Sequence, residues 1–175
     1  MNKLTSKELK YIGVPLEYSG KDLSDYGEKG KLYKKYLQKD LKETLFPGKV
    51  LKVADYDMFN MITLTLAQKI ISKGYINPVR IIQAYDIREF LGNKIDSIVT
   101  NEQEGLGQHR LIAVQDFDSS TDDFEEYKGM FQSFLRKWLI SGRSVLILSE
   151  KKFLESNYDN WFKNLLKNKS VKVNK

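Results

Sequence analysis

The sequence predicts an α/β fold: a three-layer sandwich with a mostly parallel five-stranded sheet. Three observations predict it. Short apolar runs recur with almost no polar interruption, as strands covered on both faces do. Segments with helical periodicity separate them, so strand and helix alternate four times. No internal repeat, low-complexity tract or long linker divides the 175 residues, which suit one sizeable core in a single domain spanning 1–175.

Residues 1–27 are expected to be an irregular lead-in, because Val14-Pro15 and Ser19-Gly20 are breakers. A helix follows from about Glu28 to Thr44, with Leu32, Tyr36, Leu37, Leu41 and Leu45 on one face. Phe46-Pro47-Gly48 ends it, and Val50 to Ala54 reads as the first strand. After Asp55-Tyr56-Asp57-Met58-Phe59-Asn60, a helix is expected from about Met61 to Ser72, with Gly74 at its C-terminus.

Val79 to Ala84 forms the second strand, and two short helices are expected over Asp86–Leu91 and Lys94–Val99. Asn101 to Arg110, with Gly105 and Gly107, reads as a loop. Leu111-Ile112-Ala113-Val114 is the third strand; it runs into Gln115-Asp116-Phe117-Asp118. In open α/β sheets ligands bind beyond the carboxyl ends of the strands, so this acidic end is a candidate site.

Asp122 or Asp123 caps a helix reaching Ile140, whose Phe124, Tyr127, Phe131, Phe134, Leu135, Trp138 and Leu139 recur at three- and four-residue steps. Ser144 to Ser149 is a fourth strand, Phe153 to Lys167 a helix, and Val171-Lys172-Val173 a fifth, edge strand.

Composition narrows the chemistry. With no cysteine and a single histidine, His109, the chain has no thiolate metal site or disulfide, and a histidine-based zinc site or catalytic triad would rest on one residue. No window approaches 18 apolar residues and the N-terminus lacks an apolar signal core, so a cytoplasmic location is expected.

The net charge of +6 is uneven. Residues 1–53 carry 12 Lys/Arg against 7 Asp/Glu, residues 54–150 carry 10 against 14, and residues 151–175 carry 7 against 2. Basic ends on an acidic middle suit a polyanionic partner, or a solvated surface. Lys31, Tyr33, Lys34, Lys35, Lys39 and Lys42 interleave cations with aromatics and are candidates for single-stranded nucleic acid; Lys163 to Lys175 is a second basic segment.

The order of parts resembles the AAA+ ATPase domain of bacterial replicative-helicase loaders and of related transposase-associated ATPases. The resemblance runs from roughly Ile12 to Val173. It includes Ile12-Gly13-Val14-Pro15 with Asp25-Tyr26, the helical Leu66 to Tyr75, the strand Leu111 to Asp118, and Phe131 to Ser149.

That resemblance implies a P-loop NTPase-like fold, and the departures from it bear on ATP. The stretch in the place of the phosphate loop, Val53 to Met61, has no glycine, no lysine and no terminal Ser/Thr. It carries Asp55 and Asp57 instead, and two like charges about 4 Å apart cost on the order of 4 kcal/mol at an effective dielectric of ~20.

Gln115 falls on the family's magnesium position and Asp116 on its catalytic one; an amide is a poor magnesium ligand. The family's sensor position falls near Ser149-Glu150, and no arginine follows Arg143.

The sequence thus points to a degenerate nucleotide site at Asp55, Asp57, Asn60, Gln115 and Asp116, with no catalytic residues, cofactor or metal. The function this implies is that of a non-catalytic DNA-replication accessory protein. Its partner would be a replicative helicase, a helicase loader or single-stranded DNA, as a phage or mobile element would need. The alternative is a metal-dependent nuclease in which Asp55, Asp57, Asp116 and Asp118 gather at the strand ends.

Overall fold

A computed structural model describes residues 4–39, 48–74, 79–84, 111–118 and 122–173. The expected helices at 86–91 and 94–99 and the loop at 101–110 lie outside the described residues.

Four strands form one sheet: β1 (Val50–Val53), β2 (Val79–Gln83), β3 (Leu111–Gln115) and β4 (Ser144–Leu148). Their order is β1-β4-β3-β2, and every pairing is parallel. The expected fifth strand is reduced to a single parallel bridge from Ser170 to Val50, with the Val171 N–H donating to the Val50 carbonyl at 2.8 Å. The residues beyond Ser170 take no further strand pairing among the described residues.

Side chains alternate through the sheet. Leu51, Val53, Val79, Leu111, Ala113 and Leu146 face one core, while Val50, Ile82, Ile112, Val114, Val145 and Ile147 face the other. Helices α1 (Ser6–Ile12), α2 (Gly27–Gln38) and α3 (Tyr56–Ser72) cover the first face. Helices α4 (Asp122–Ile140) and α5 (Asn160–Lys169) cover the second. Every step predicted for the aromatic face of α4 from Phe131 onward is buried, with Trp138 Nε1 donating to the Ser144 carbonyl at 2.8 Å.

Residues 4–27 of the lead-in carry helical elements rather than an irregular path. Thr5 and Glu8 form a reciprocal capping box that starts α1, and Gly13 ends the helix in the left-handed region at φ 93°. A Cβ on Gly13 would also stand 3.2 Å from the Ile81 Cβ, so this glycine lets α1 close on β2. A second box, Asp22 with Asp25, starts the short 3₁₀ turn Leu23–Tyr26, which leads into α2.

Two other elements differ from expectation. Helix α3 begins at Tyr56, five residues before Met61, because Asp55 accepts the Met58 N–H at 2.7 Å and caps it. The helix expected over 153–167 is split into a 3₁₀ turn, Phe153–Glu155, and α5. Between them Tyr158 is buried against Phe117 and donates to its carbonyl at 3.0 Å, a contact a continuous helix would not deliver. The helix predicted to reach Thr44 is α2; it ends at Gln38, and 40–47 lie outside the described residues.

Candidate functional site

Connections place the crevice. From β1 the chain crosses the first face through α3 to β2 at the far edge of the sheet. From the adjacent β4 it crosses the second face through α5 and returns beside β1 at Ser170. Neighbouring strands that send their chains opposite ways open a crevice beyond their carboxyl ends, the usual ligand position in such sheets. Here its walls are Ala54-Asp55 after β1 and Ser149-Glu150 after β4, joined by the Ser149 N–H donating to the Val53 carbonyl at 2.8 Å.

On the β1 side only Ala54 and Asp55 separate strand from helix. A helix N-terminus offers free N–H groups and a partial positive charge to an anion. In this chain the Asp55 carboxylate accepts one of those N–H groups itself. Asp57, in the first turn of α3, accepts the Tyr18 hydroxyl at 2.5 Å. Burial and that carboxylate both push the Tyr18 phenol well above its ordinary range. No lysine or arginine occurs between Val53 and Lys69.

Asn60 does not open onto the crevice. It is fully buried in α3, its Nδ2 donating to the Tyr56 carbonyl at 3.0 Å.

On the β3 side Gln115 is half-buried and accepts from Gln83 Nε2 at 3.1 Å, an amide pair across the ends of β2 and β3. Asp116 is exposed and holds φ at 50°, the left-handed region. This turns the chain so that Phe117 enters the second core and Asp118 reaches β4.

Asp118 accepts the Ser149 hydroxyl at 3.0 Å and the Glu150 N–H at 2.9 Å, tying the end of β3 to that of β4. Lys52, on β1, loses basicity through burial, and the charges of Asp118 and Glu155 oppose that loss.

The predicted residues are therefore drawn to one end of the sheet but put to separate uses. Among the described residues, no three His, Cys, Asp or Glu side chains are grouped to hold a metal ion. The four-carboxylate cluster of the nuclease alternative is thus not assembled: Asp55 caps α3, Asp57 holds Tyr18, and Asp118 holds Ser149 and Glu150.

The basic face of α2 is also partly spent. Lys31 pairs with Glu28 at 2.7 Å and Lys34 with Asp22 at 2.7 Å, while Lys35 and Lys39 are exposed. Tyr33 is 8% exposed and belongs to the core, so it offers no ring for a base to stack on; Lys42 lies outside the described residues.

Sequence reading marks Ser149 only as the place of the family's sensor, and it does not mark Tyr18, Gln83 or Lys52 at all. Tyr18 and Gln83 meet partners 39 and 32 residues away, and nothing local marks such pairs. No described helix is long and apolar enough to cross a membrane.

No family model and no curated protein matches the chain. Two solved structures share its fold. One, described as a DNA replication initiation factor, superposes with a TM-score of 0.54 at 11% identity, over 86% of this chain and 48% of its own. This chain thus spans about half the length of that relative. The other, domain III of the Thermotoga maritima replication initiation protein DnaA, gives a TM-score of 0.56 at 10% identity, over 91% of this chain and 68% of its own. The parallel sheet, the helices on both its faces and these two likenesses together show that the chain shares the α/β fold of these two structures.

Proposed function

We propose that this chain is a non-catalytic DNA-replication accessory protein, a helicase-loader-like pseudo-ATPase that acts by binding. Its targets would be a replicative helicase, that helicase's loader, or single-stranded DNA. The observation that carries the reading is the junction between β1 and α3. A phosphate loop sets an eight-residue, glycine-rich motif with a lysine at this point of the fold. Here two residues make the turn, and the second places a carboxylate on the helix N-terminus.

The charge a triphosphate would need is therefore reversed, and Gln115 stands at the position where the resemblance expects a magnesium carboxylate. Replication-initiator folds among the structural neighbours support the setting, while their own binding properties remain theirs. For DNA, the exposed Lys35 and Lys39 and the basic end from Lys163 onward supply the cationic surface.

The reading is tested by titrating the protein with ATP and Mg²⁺ in a calorimeter. No binding is expected up to millimolar ATP, and micromolar affinity would refute the pseudo-ATPase assignment. Gel filtration with purified replicative helicase or loader tests the partner: co-elution is expected with one of them. Separate elution from both, with no salt-sensitive affinity for a single-stranded oligonucleotide, would refute the accessory role.

A further inference from the structure

Helices α4 and α5 lie side by side over the second core, and two contacts set their register. At the start of α5 the Gln132 Nε2 donates to Asp159 Oδ2 at 3.0 Å, and the Asp159 N–H donates back to Gln132 Oε1 at 2.8 Å. One turn further along α4, the Arg136 guanidinium stands over the Trp161 ring, 5.8 Å from its centroid. The contacts advance in the same sense along both helices, so the two run parallel. A further turn reaches Ile140 at the end of α4 and Leu165 on α5.

This seam leaves apolar side chains in water. Ile140 is 66% exposed and Trp161 43% exposed, and Leu165, one turn beyond Trp161, is half-buried. A lone exposed apolar residue is ordinary. Here one of them carries a stacked arginine, and Trp and Arg are the types in which binding energy concentrates at interfaces.

The charge around the seam has one sign. Tyr127 to Ser149 holds no Asp or Glu, and neither does Asn160 to Lys175. Among the described residues, Arg136, Lys167 and Lys169 have no acidic partner.

We propose that the α4–α5 seam is a docking surface for an acidic amphipathic helix of a partner protein. Apolar anchors at i, i+3, i+4 and i+7 of that helix cover Ile140, Leu165 and the edge of Trp161. Its carboxylates meet Arg136 and Lys167, a match of sign that also steers the approach. A neutral helix leaves those cations unmet. A nucleic-acid strand fits worse: one face of the Trp161 ring already carries Arg136, and Ile140 and Leu165 offer no ring on which a base can stack. The seam lies on the opposite face of the sheet from α3, and its test needs neither helicase nor nucleotide. It therefore stands apart from the reading given above.

The test uses the full chain and a synthetic peptide of about five helical turns, with leucines at i, i+3, i+4 and i+7 and glutamate and alanine elsewhere. A second peptide of the same composition has its leucines scattered around the helix. The chain has two tryptophans and Trp138 is fully buried, so acrylamide quenching reads Trp161. One-site calorimetric binding in the range of tens of micromolar is expected at low salt, with Trp161 protected from the quencher and affinity falling as salt rises. Ile140→Ser and Arg136→Gln, both at exposed positions, should each weaken binding about fivefold or more. Each variant must melt with the parent; if one does not, the other decides alone. Absent or non-saturable binding by the parent would overturn the proposal, as would equal binding of the scattered peptide or unchanged affinity in the folded variants. Protection of Trp161 by oligothymidylate but not by the peptide would overturn it in favour of nucleic acid.

Discussion

Replacing Asp55 by alanine tests the junction on which the functional reading rests. In the native chain its carboxylate accepts the Met58 N–H at 2.7 Å and lies at the positive end of the 17-residue helix α3. Loss of an N-cap acceptor costs about 1 kcal/mol, within a range of roughly 0.5–2. Removing the charge at the helix terminus adds about 0.3–1 kcal/mol.

The expected loss is therefore about 1–3 kcal/mol. With an unfolding entropy near 2.1 cal/mol/K per residue, the whole chain gives roughly 0.4 kcal/mol/K, so the melting temperature should fall by about 3–8 °C. Asp55→Asn keeps an acceptor oxygen and should recover most of the cap while losing the charge effect, a fall of no more than about 3 °C. Differential scanning calorimetry at low ionic strength separates the two. An Asp55→Ala protein that melts with the parent, or an asparagine variant as damaged as the alanine one, would show that the carboxylate does not hold this terminus. The anion position at α3 would then be open, contrary to the reading given above.

The remaining predictions concern the scaffold around that junction. Gly30→Ala should destabilise by several kcal/mol in urea titration, because its Cβ would fall 1.9 Å from the Leu23 carbonyl oxygen, a backbone atom that cannot step aside. Trp138→Phe removes a buried donor from the Ser144 carbonyl and should cost about 1–3 kcal/mol by the same measurement. Tyr18→Phe strips Asp57 of its hydroxyl partner and should cost about 1–2 kcal/mol, read as a lower urea midpoint with the slope unchanged.

For Asp22 the folded carboxyl, held at about 2, lies below its unfolded value. Its contribution is therefore present above about pH 4 and disappears as pH falls through 2. Its side chain is 52% exposed, so solvent screening keeps this under about 1 kcal/mol. Acid titrations of Lys34→Gln against the parent should differ by no more than that and should converge below pH 2.

The sheet was legible because its strands are buried on both faces. The runs at Leu111 and Ser144 are buried over four successive residues, those at Val50 and Val79 admit only Lys52, Arg80 and Gln83, and each of the four became a strand within a residue of its expected end. The aromatic steps of α4 were legible for the same reason, since one face must be covered.

The errors have physical causes. Thr5-x-x-Glu8 was a readable cap, but breakers nearby drew the whole lead-in toward loop. Asp55-Tyr56-Asp57 stands where the resemblance expects a phosphate loop, but an aspartate before an apolar helix is a capping signal, and that local signal sets the start of α3. Tyr33 stands among lysines in the sequence, but its three-residue offset from Tyr36 puts the two rings toward the same core. Pairings such as Tyr18 with Asp57 depend on the tertiary approach of distant segments, which no window reports.

The bridge from Ser170 to Val50 has a consequence for self-association. A bare outer strand is a template on which a second chain can lay its own backbone. By lying along β1, the chain's own tail occupies part of that template: the Val50 carbonyl is already taken by Val171. The two margins of the sheet are therefore unlike, for no described segment pairs along the outer side of β2. Trimming the chain before Ser170 should make concentrated samples prone to fibrous association through β1, a hazard the tail holds in check.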